Sequence, residues 1–214
     1  MANLLEDICL EEISKRNIKD STDIFQSSRV CILGLGGLGS NIAVMLARSS
    51  IGTLHLIDFD DVEISNLNRQ YYTLENIDMK KTQAIKNIIE KINPFVRVII
   101  ENIKITEKNI DNIIKDEKYI VEALDDADSK AMLVNKILES YPEKYIISAS
   151  GMAGVGDSNG IKTKRVMKNL YICGDGFRDY EEYSGMMAPR VNLCAAHQAN
   201  LVLELILEES KKKK

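Results

Sequence analysis

Short apolar runs alternate along the chain with longer segments in which apolar residues recur every three or four positions. The runs predict strands and the periodic segments predict helices. The predicted strands are 30–33, 53–58, 95–100, 119–124 and 145–149, and the helices between them are 40–49, 78–93, 106–115 and 128–141. This alternation predicts an α/β fold, with a Rossmann-like, doubly wound and mostly parallel sheet.

The pattern changes after residue 150. Two extra C-terminal strands are predicted over 161–166 and 170–173. A long loop then leads to a last helix over 190–209. A loop of that length in a compact domain is functional or mobile.

The start of the chain also differs, because apolar positions among acids predict an amphipathic helix over 3–15. We therefore predict three parts: an N-terminal helical arm (1–28), a main nucleotide-binding domain (29–209) and a solvated tail (210–214). The arm precedes the first strand and is a candidate dimer arm.

The first strand runs directly into a glycine-rich turn. Gly34, Gly36 and Gly39 fit the spacing G-x-G-x-x-G, and Gly37 is an additional glycine. In this motif the first glycine permits a tight turn, the second lets a phosphate approach the backbone, and the third lets the next helix pack closely. The stretch predicts a nucleotide site, but it does not choose between NAD, FAD and ATP.

Acidic residues lie at or just after the carboxyl ends of the second and fourth strands. Asp58 lies at the distance beyond the glycines where a ribose-binding acid is expected; the alternative is an acid that caps the next turn. Asp60 and Asp61 follow as solvated or capping acids. Asp125 and Asp126 follow the fourth strand. Because the carboxyl ends of parallel strands face the ligand crevice, Asp125 is a candidate Mg²⁺ ligand or the cap of the next helix. The two adjacent acids could take one role each.

Two basic residues lie near these acids. Arg69 stands beside amide side chains, so it is a candidate to reach the outer phosphates of a nucleotide, or else an ordinary surface arginine. Lys81 falls in the first turn of a predicted helix, where its charge opposes the helix dipole. A bound anion would remove that conflict; the alternative is a solvated lysine.

Composition narrows the choice of partners. The 214 residues are 45% hydrophobic and 28% charged, with a formal net charge of −4, so nucleic acid is not an expected partner. No apolar run is long enough to span a membrane and no secretory signal is visible, so neither a membrane nor export is expected. The four cysteines form no C-x-x-C pair, which argues against structural zinc and fits a cytoplasmic protein.

Five motifs occur in order: GLGGLGS, LIDFD, SNLNRQ, a lysine at the start of the next helix, and EALDD after the fourth strand. Together they resemble the ThiF/MoeB family, the bacterial relatives of the ubiquitin-activating enzymes. The segment NLYICGDGF and the later GMMAPRVNLCAAHQAN are similar to a short ThiF subfamily that accompanies thiamin synthesis. The resemblance implies an adenylyltransferase that uses Mg·ATP to activate the C-terminal glycine of a ubiquitin-like sulfur carrier, ThiS, and releases pyrophosphate. It also implies a sulfur donor protein and a homodimer.

The resemblance further implies roles for individual residues. Gly37 lies against the ATP phosphates, Asp58 binds the ribose and Asp125 holds Mg²⁺. Arg69 and Lys81 contact phosphates, which agrees with the chemistry, because adenylation of a carboxylate needs positive charge rather than a base. The other nucleotide-binding candidates are Gly34, Gly36, Gly39, Asp60, Ser65, Asn66 and Asp126. The implied catalytic residues are Arg69, Lys81, Asp125 and Arg16.

Some positions depart from the family or fit it loosely. Asp126 stands where the family often has Asn. Arg16 resembles an arginine that family dimers lend to the partner's active site. Many relatives carry two C-x-x-C pairs for zinc, which this chain lacks, so no zinc is expected. Cys173 is the candidate for covalent sulfur transfer, and Cys194 is expected in the core.

Three other functions share parts of this pattern. An NAD-dependent oxidoreductase would share the glycine turn and Asp58, but it would not explain Arg69, Lys81 and Asp125 together. A tRNA threonylcarbamoyladenosine dehydratase would adenylate a small carboxylate on RNA, although the acidic balance argues against RNA binding. A non-catalytic scaffold could keep the fold.

Overall fold

A seven-stranded sheet forms the centre of the computed structural model, which describes residues 9–178 and 185–212. The strands are β1 (Arg29–Leu33), β2 (Thr53–Asp58), β3 (Arg97–Asn102), β4 (Tyr119–Glu122), β5 (Tyr145–Ala149), β6 (Lys162–Arg165) and β7 (Leu170–Gly174). They lie in the order β3-β2-β1-β4-β5-β7-β6, with β6 antiparallel to β7 and the other pairs parallel. The predicted α/β fold with a mostly parallel sheet and extra C-terminal strands is confirmed.

Helices cover both faces of this sheet. They are α1 (Leu10–Ser14), α2 (Thr22–Gln26), α3 (Gly37–Arg48), α4 (Lys81–Ile92), α5 (Ile110–Ile114), α6 (Ala127–Ser140) and α7 (Ala188–Lys211). Val30 and Ile32 of β1 belong to the core under α3, α4 and α7, whereas Cys31 and Leu33 belong to the core under α5 and α6. Burial on both faces explains why this strand is a continuous apolar run. None of the described helices is both long enough and apolar enough to cross a membrane.

The sheet order changes direction at β1, which has β2 on one side and β4 on the other. In open α/β sheets the crevice at such a point, beyond the carboxyl ends of the strands, is where ligands bind. Leu33, Asp58 and Glu122 end β1, β2 and β4 at one edge of the sheet. We call this edge the rim.

Several predicted boundaries are wrong by a few residues. The helix predicted over 78–93 begins at Lys81, because the backbone of residues 78–80 pairs with residues 61–62 and Asp78 has a φ of +64°. The predicted helix over 3–15 is observed as Leu10–Ser14, and its residues 3–8 lie outside the described residues. At the other end α7 continues through Lys211, into the segment predicted as tail.

Candidate active site

Two glycines of the turn after β1 are required by packing. Gly34 has a φ of +93°, and a Cβ there would lie 2.6 Å from the carbonyl oxygen of Ala123. A Cβ at Gly39 would overlap the carbonyl oxygen of Gly34. These two positions need glycine for the approach of β1 to β4 and α3, whatever the turn binds.

Gly36 is different, because packing does not require glycine there. A Cβ would meet only the Gln70 side chain, at 3.9 Å. Gln70 is buried, and its Oε1 has no hydrogen-bond partner in the described part of the chain. The free space at Gly36, together with the unpaired Oε1 of Gln70, fits a bound group that carries hydroxyl or amino donors, as a nucleotide does.

The Asp58 carboxylate joins the end of β2 to this turn. Its Oδ2 accepts the Leu35 N–H at 2.6 Å, and its Oδ1 accepts the Asp60 N–H at 2.8 Å. Burial raises the pKa of Asp58, and the backbone donors and the Lys81 charge oppose that shift. Each oxygen keeps a lone pair, so the carboxylate can still accept a hydrogen bond from a ribose hydroxyl.

Lys81 is the first residue of α4 and is 6% exposed. Its Nζ lies 2.8 Å from Asp60 Oδ2, and its N–H donates to the Asp60 carbonyl at 3.0 Å. The protein therefore supplies an anion of its own against the helix N-terminus. The Lys81 side chain is buried whereas the Asp60 side chain is half-exposed, so the ion pair reaches the surface of the rim through the carboxylate.

The segment between β2 and α4 is folded back onto α3. Asn66 is buried, and its Oδ1 accepts the Glu63 N–H to close a short 3₁₀ helix. Asn41 of α3 donates to the carbonyl of Arg69 at 3.0 Å. These bonds fix the backbone that carries Arg69.

The Arg69 side chain lies against the glycine turn. Its Cγ is 3.5 Å from the position of a Cβ at Gly37. The guanidinium donates to the Asn68 Oδ1 at 2.8 Å and to the carbonyl of the exposed Ser65 at 3.3 Å. Among the described residues it pairs with no carboxylate, so its charge remains available to an anion.

The two acids after β4 separate into different environments. Asp126 caps α6, because its Oδ2 accepts the Ser129 N–H at 2.7 Å, and hydrogen bonds to Ser129 lower its pKa. Asp125 is exposed and makes no hydrogen bond or ion pair within the described residues. It lines a groove that runs beside α6. Asp125 is thus the acid left free to bind a cation at the rim.

Sequence analysis missed Glu122, which is fully buried at the end of β4. It accepts the Leu124 N–H at 2.8 Å, the Ser148 hydroxyl at 2.5 Å and the Lys130 ammonium at 3.3 Å. The available signal was an acid inside an otherwise apolar strand. Glu122 fixes the backbone that leads into Asp125.

The glycine turn is the centre of these contacts. It touches Ala123, the residue after β4, through Gly34, Asp58 through the Leu35 N–H, and Arg69 through Gly37. Asp60 connects Asp58 to Lys81, and Asp125 follows two residues after the Gly34 contact at Ala123. Arg16 is exposed and makes no hydrogen bond or ion pair with these groups in the described ranges.

The cysteines lie in environments that suppress reactivity. Cys173 is fully buried, and burial raises its pKa to about 11. Burial also raises the pKa of Cys194 to about 12. A thiol of that pKa is protonated at neutral pH and is a poor nucleophile. This argues against covalent sulfur transfer at Cys173.

A second charged cluster lies on the α5–α6 side of the sheet, away from the rim. Ligand-type atoms of Cys31, His55 and Glu117 lie within 4.8 Å of one another. However, Glu117 Oε1 already accepts from His55 Nδ1 at 2.6 Å and from the Arg29 guanidinium at 2.6 Å, and burial raises the pKa of Cys31. We therefore assign the cluster to an ion-pair network that stabilises the fold.

Glu117→Gln is expected to lower the free energy of unfolding by about 3 kcal/mol, because it removes a fully buried carboxylate that accepts from both the buried His55 ring and the partly exposed Arg29 guanidinium. Hydrogen bonds from His55 and Arg29 lower the pKa of Glu117 even though its burial opposes this. Its contribution is therefore present above the ordinary glutamate pKa and is lost as the pH falls towards the lowered value. Urea titrations at neutral and acidic pH measure both effects.

Glu101→Gln is the matched control, since Glu101 Oε1 bonds the other nitrogen of His55 at 2.8 Å but is 38% exposed. We expect it to cost about 1 kcal/mol or less. Equal losses in the two variants would contradict the assignment.

Comparison with known proteins places this site in a family. The sequence profile of the ThiF family matches residues 9–214. The chain belongs to the ThiF family. The tRNA threonylcarbamoyladenosine dehydratase of Escherichia coli (strain K12) is 31% identical over 154 residues, which are 69% of this chain and 55% of that protein. The ubiquitin-like modifier-activating enzyme 5 of Drosophila virilis is 32% identical over 66% of this chain and 35% of that protein.

Solved structures of the dehydratase TcdA share the fold. The E. coli dehydratase TcdA, in a crystal structure in complex with ATP, superposes with a TM-score of 0.85 at 20% identity, covering 95% of both chains. The chain spans little more than half the length of the curated dehydratases it matches.

These comparisons correct the function predicted from the sequence. The ThiF/MoeB resemblance is confirmed at the level of the family. The predicted adenylation of a ThiS-like carrier for thiamin synthesis is wrong, because two relatives at 31% and 32% identity that cover more than two thirds of this chain are tRNA threonylcarbamoyladenosine dehydratases. The five motifs identify the family, and they do not identify the substrate.

Proposed function

We propose that this chain activates a carboxylate by adenylation with ATP and that the carboxylate is that of threonylcarbamoyladenosine in tRNA. The observation that supports activation is the glycine turn flanked by Arg69, which pairs with no carboxylate among the described residues, and by the buried Lys81. The two dehydratases at 31% and 32% identity support the substrate. This proposal departs from the sequence-based expectation that nucleic acid is not a partner.

The reaction has two steps. A substrate carboxylate oxygen attacks the α-phosphorus of ATP, the bond to the pyrophosphate oxygen breaks, and an acyl-adenylate forms. The carbamoyl group of the same nucleoside then attacks the acyl carbon, AMP leaves and one proton is released. In total the nucleoside has lost the atoms of one water molecule, and the carboxylate oxygen among them remains on AMP.

The residues of the rim supply charge and position. Arg69 and Lys81 offset the negative charges that meet at the α-phosphorus, and N–H groups of the glycine turn at the start of α3 donate to phosphate oxygens. A general base is unnecessary, because a carboxylic acid is ionised at neutral pH. Asp125 is the residue that would hold Mg²⁺, which supplies further positive charge to the phosphates.

The proposal is tested by incubating the protein with ATP and tRNA that carries the threonylcarbamoyl group. We expect AMP formation in proportion to nucleosides that lose the mass of one water, and neither product with tRNA that lacks the modification. ATP binding without any dehydration of the modified tRNA would refute the substrate but leave nucleotide binding intact.

Gly36→Ala separates ligand binding from folding. Because a methyl group fits the open space at this position, we expect the variant to unfold at the wild-type temperature. We expect its ATP affinity to fall about tenfold or more, which corresponds to a loss of ~1.4 kcal/mol of binding free energy. Isothermal calorimetry and thermal unfolding measure the two quantities. Gly39→Ala is the contrasting variant, because its overlap with Gly34 should destabilise the fold itself. Unchanged ATP affinity in Gly36→Ala would show that the nucleotide lies elsewhere.

A further inference from the structure

One face of the sheet is open next to the rim. Beyond α6, on the side that this helix covers, β7 and the edge strand β6 continue the sheet, and all four residues of β6 are exposed. A groove of about 560 Å³ runs there, between Val134 of α6 and Ile172 of β7. Asp125 lines the same groove, so the groove opens at the rim. Its volume is in the range of small-ligand sites.

An exposed aromatic ring lines this groove. Phe177 is 62% exposed, and the Arg178 guanidinium lies 5.5 Å from its ring centroid. Planar groups of this kind are the surfaces on which unstacked nucleic-acid bases stack.

The turn that carries the ring is held by a buried ion pair. Asp175 Oδ1 accepts the N–H groups of Phe177 and Arg178 at 3.1 and 3.0 Å. Asp175 Oδ2 accepts from the Arg190 guanidinium at 2.7 Å, and these two side chains are 4% and 5% exposed. The buried pair and these two backbone bonds therefore fix the main chain at Phe177 against α7.

The open face also carries positive charge. Lys164 stands opposite Ile172 in the antiparallel pair, and Lys162 stands opposite Gly174. Directly opposite residues share a face of the sheet, so both lysines project from the face that the groove occupies. Residues 161–174 include four cations, Lys162, Lys164, Arg165 and Lys168, and no acid. This segment is therefore locally basic, although the formal net charge of the whole chain is −4.

We propose that this face binds single-stranded RNA, with a base stacked on Phe177 in the groove and the phosphates at Lys162 and Lys164. The inference rests on the proposed function, since it gives the location at which the RNA substrate meets the chain. The groove then leads a carboxylate attached to the base towards the rim. Lysines on an edge strand also deter sheet-to-sheet aggregation, but that role does not account for the groove or the ring.

The test measures binding of a fluorescein-labelled RNA hairpin with an adenosine-containing single-stranded loop, by anisotropy at several salt concentrations. Lys162→Glu/Lys164→Glu is expected to weaken binding on the order of tenfold at low salt and to reduce the salt slope by about 1.4, or about 0.7 for each lost phosphate contact. Phe177→Ala is expected to weaken binding about fivefold or more, with the salt slope unchanged.

Matched controls exclude general effects. Lys91→Glu/Lys108→Glu makes the same change in net charge at two exposed lysines elsewhere, and Phe95→Ala removes another partly exposed ring. Both controls should bind as the wild type does. The proposed RNA surface is contradicted if the wild type does not bind the hairpin, or if the test variants bind it as tightly as their controls do. Failure of the proposed function looks different: the hairpin binds at this face, but modified tRNA is not dehydrated.

Discussion

Lys81→Met is expected to slow AMP formation by about a hundredfold to a thousandfold, because it removes a positive charge that offsets the charge developing at the α-phosphorus. Methionine keeps most of the volume of a side chain that is 6% exposed, so packing at the start of α4 is retained. Asp60 loses its ion-pair partner in this variant, but its side chain is 44% exposed and water can solvate it, so the loss should not destabilise the fold. Steady-state kinetics with ATP and modified tRNA, together with a thermal unfolding curve, measure the effect.

Lys80→Met is the control that the chain itself offers. Lys80 precedes Lys81 and also pairs with an acid at 2.8 Å, but the side chains of Lys80 and Asp61 are 46% and 50% exposed. We expect this variant to keep the wild-type rate. If both variants lost activity equally, the effect would come from the start of the helix rather than from the ammonium of Lys81.

Asp125→Asn is expected to reduce the rate on the order of a hundredfold or more, since it weakens the site that we assign to Mg²⁺. The same variant should need a higher Mg²⁺ concentration for half-maximal activity. Folding should be unaffected, because Asp125 is exposed and makes no hydrogen bond within the described residues. A Mg²⁺ titration of the rate measures this change.

Asp128→Asn is the matched control for Asp125→Asn. Asp128 is another exposed acid at the start of α6, and it also has no hydrogen bond or ion pair among the residues described. Its Mg²⁺ requirement should match that of the wild type. A wild-type Mg²⁺ curve in Asp125→Asn would remove Asp125 from the metal site.

The elements around β1 could be predicted from the sequence because local pattern and tertiary packing agree there. β2 and β5 have the bounds that their apolar runs predict. The start of α4 could not be predicted, because residues 78–80 pair with residues 61–62, a contact that periodicity does not contain. Boundaries that depend on such contacts are set by tertiary structure rather than by propensity.

In the candidate site, too, some features could be predicted from the sequence and others could not. Glycine spacing and the acids at strand ends predicted which residues would lie at the rim, because the carboxyl ends of parallel strands meet at one edge. Glu122 and the pairing of Lys81 with Asp60 depend on side-chain geometry across the fold. The substrate could not be predicted either, because the five motifs identify only the family, while the surface that we propose for RNA lies on β6, on β7 and at Phe177, outside those five motifs.

Adenylation of the substrate carboxylate at the rim is tested most directly by following an oxygen atom. Modified tRNA whose carboxylate carries a heavy oxygen isotope is incubated with the protein and ATP, and the released nucleotides are examined by mass spectrometry. Attack of the carboxylate on the α-phosphorus predicts one heavy oxygen in AMP and none in pyrophosphate. Heavy oxygen in inorganic phosphate, accompanied by ADP, would instead show attack at the γ-phosphorus and would contradict the proposed chemistry.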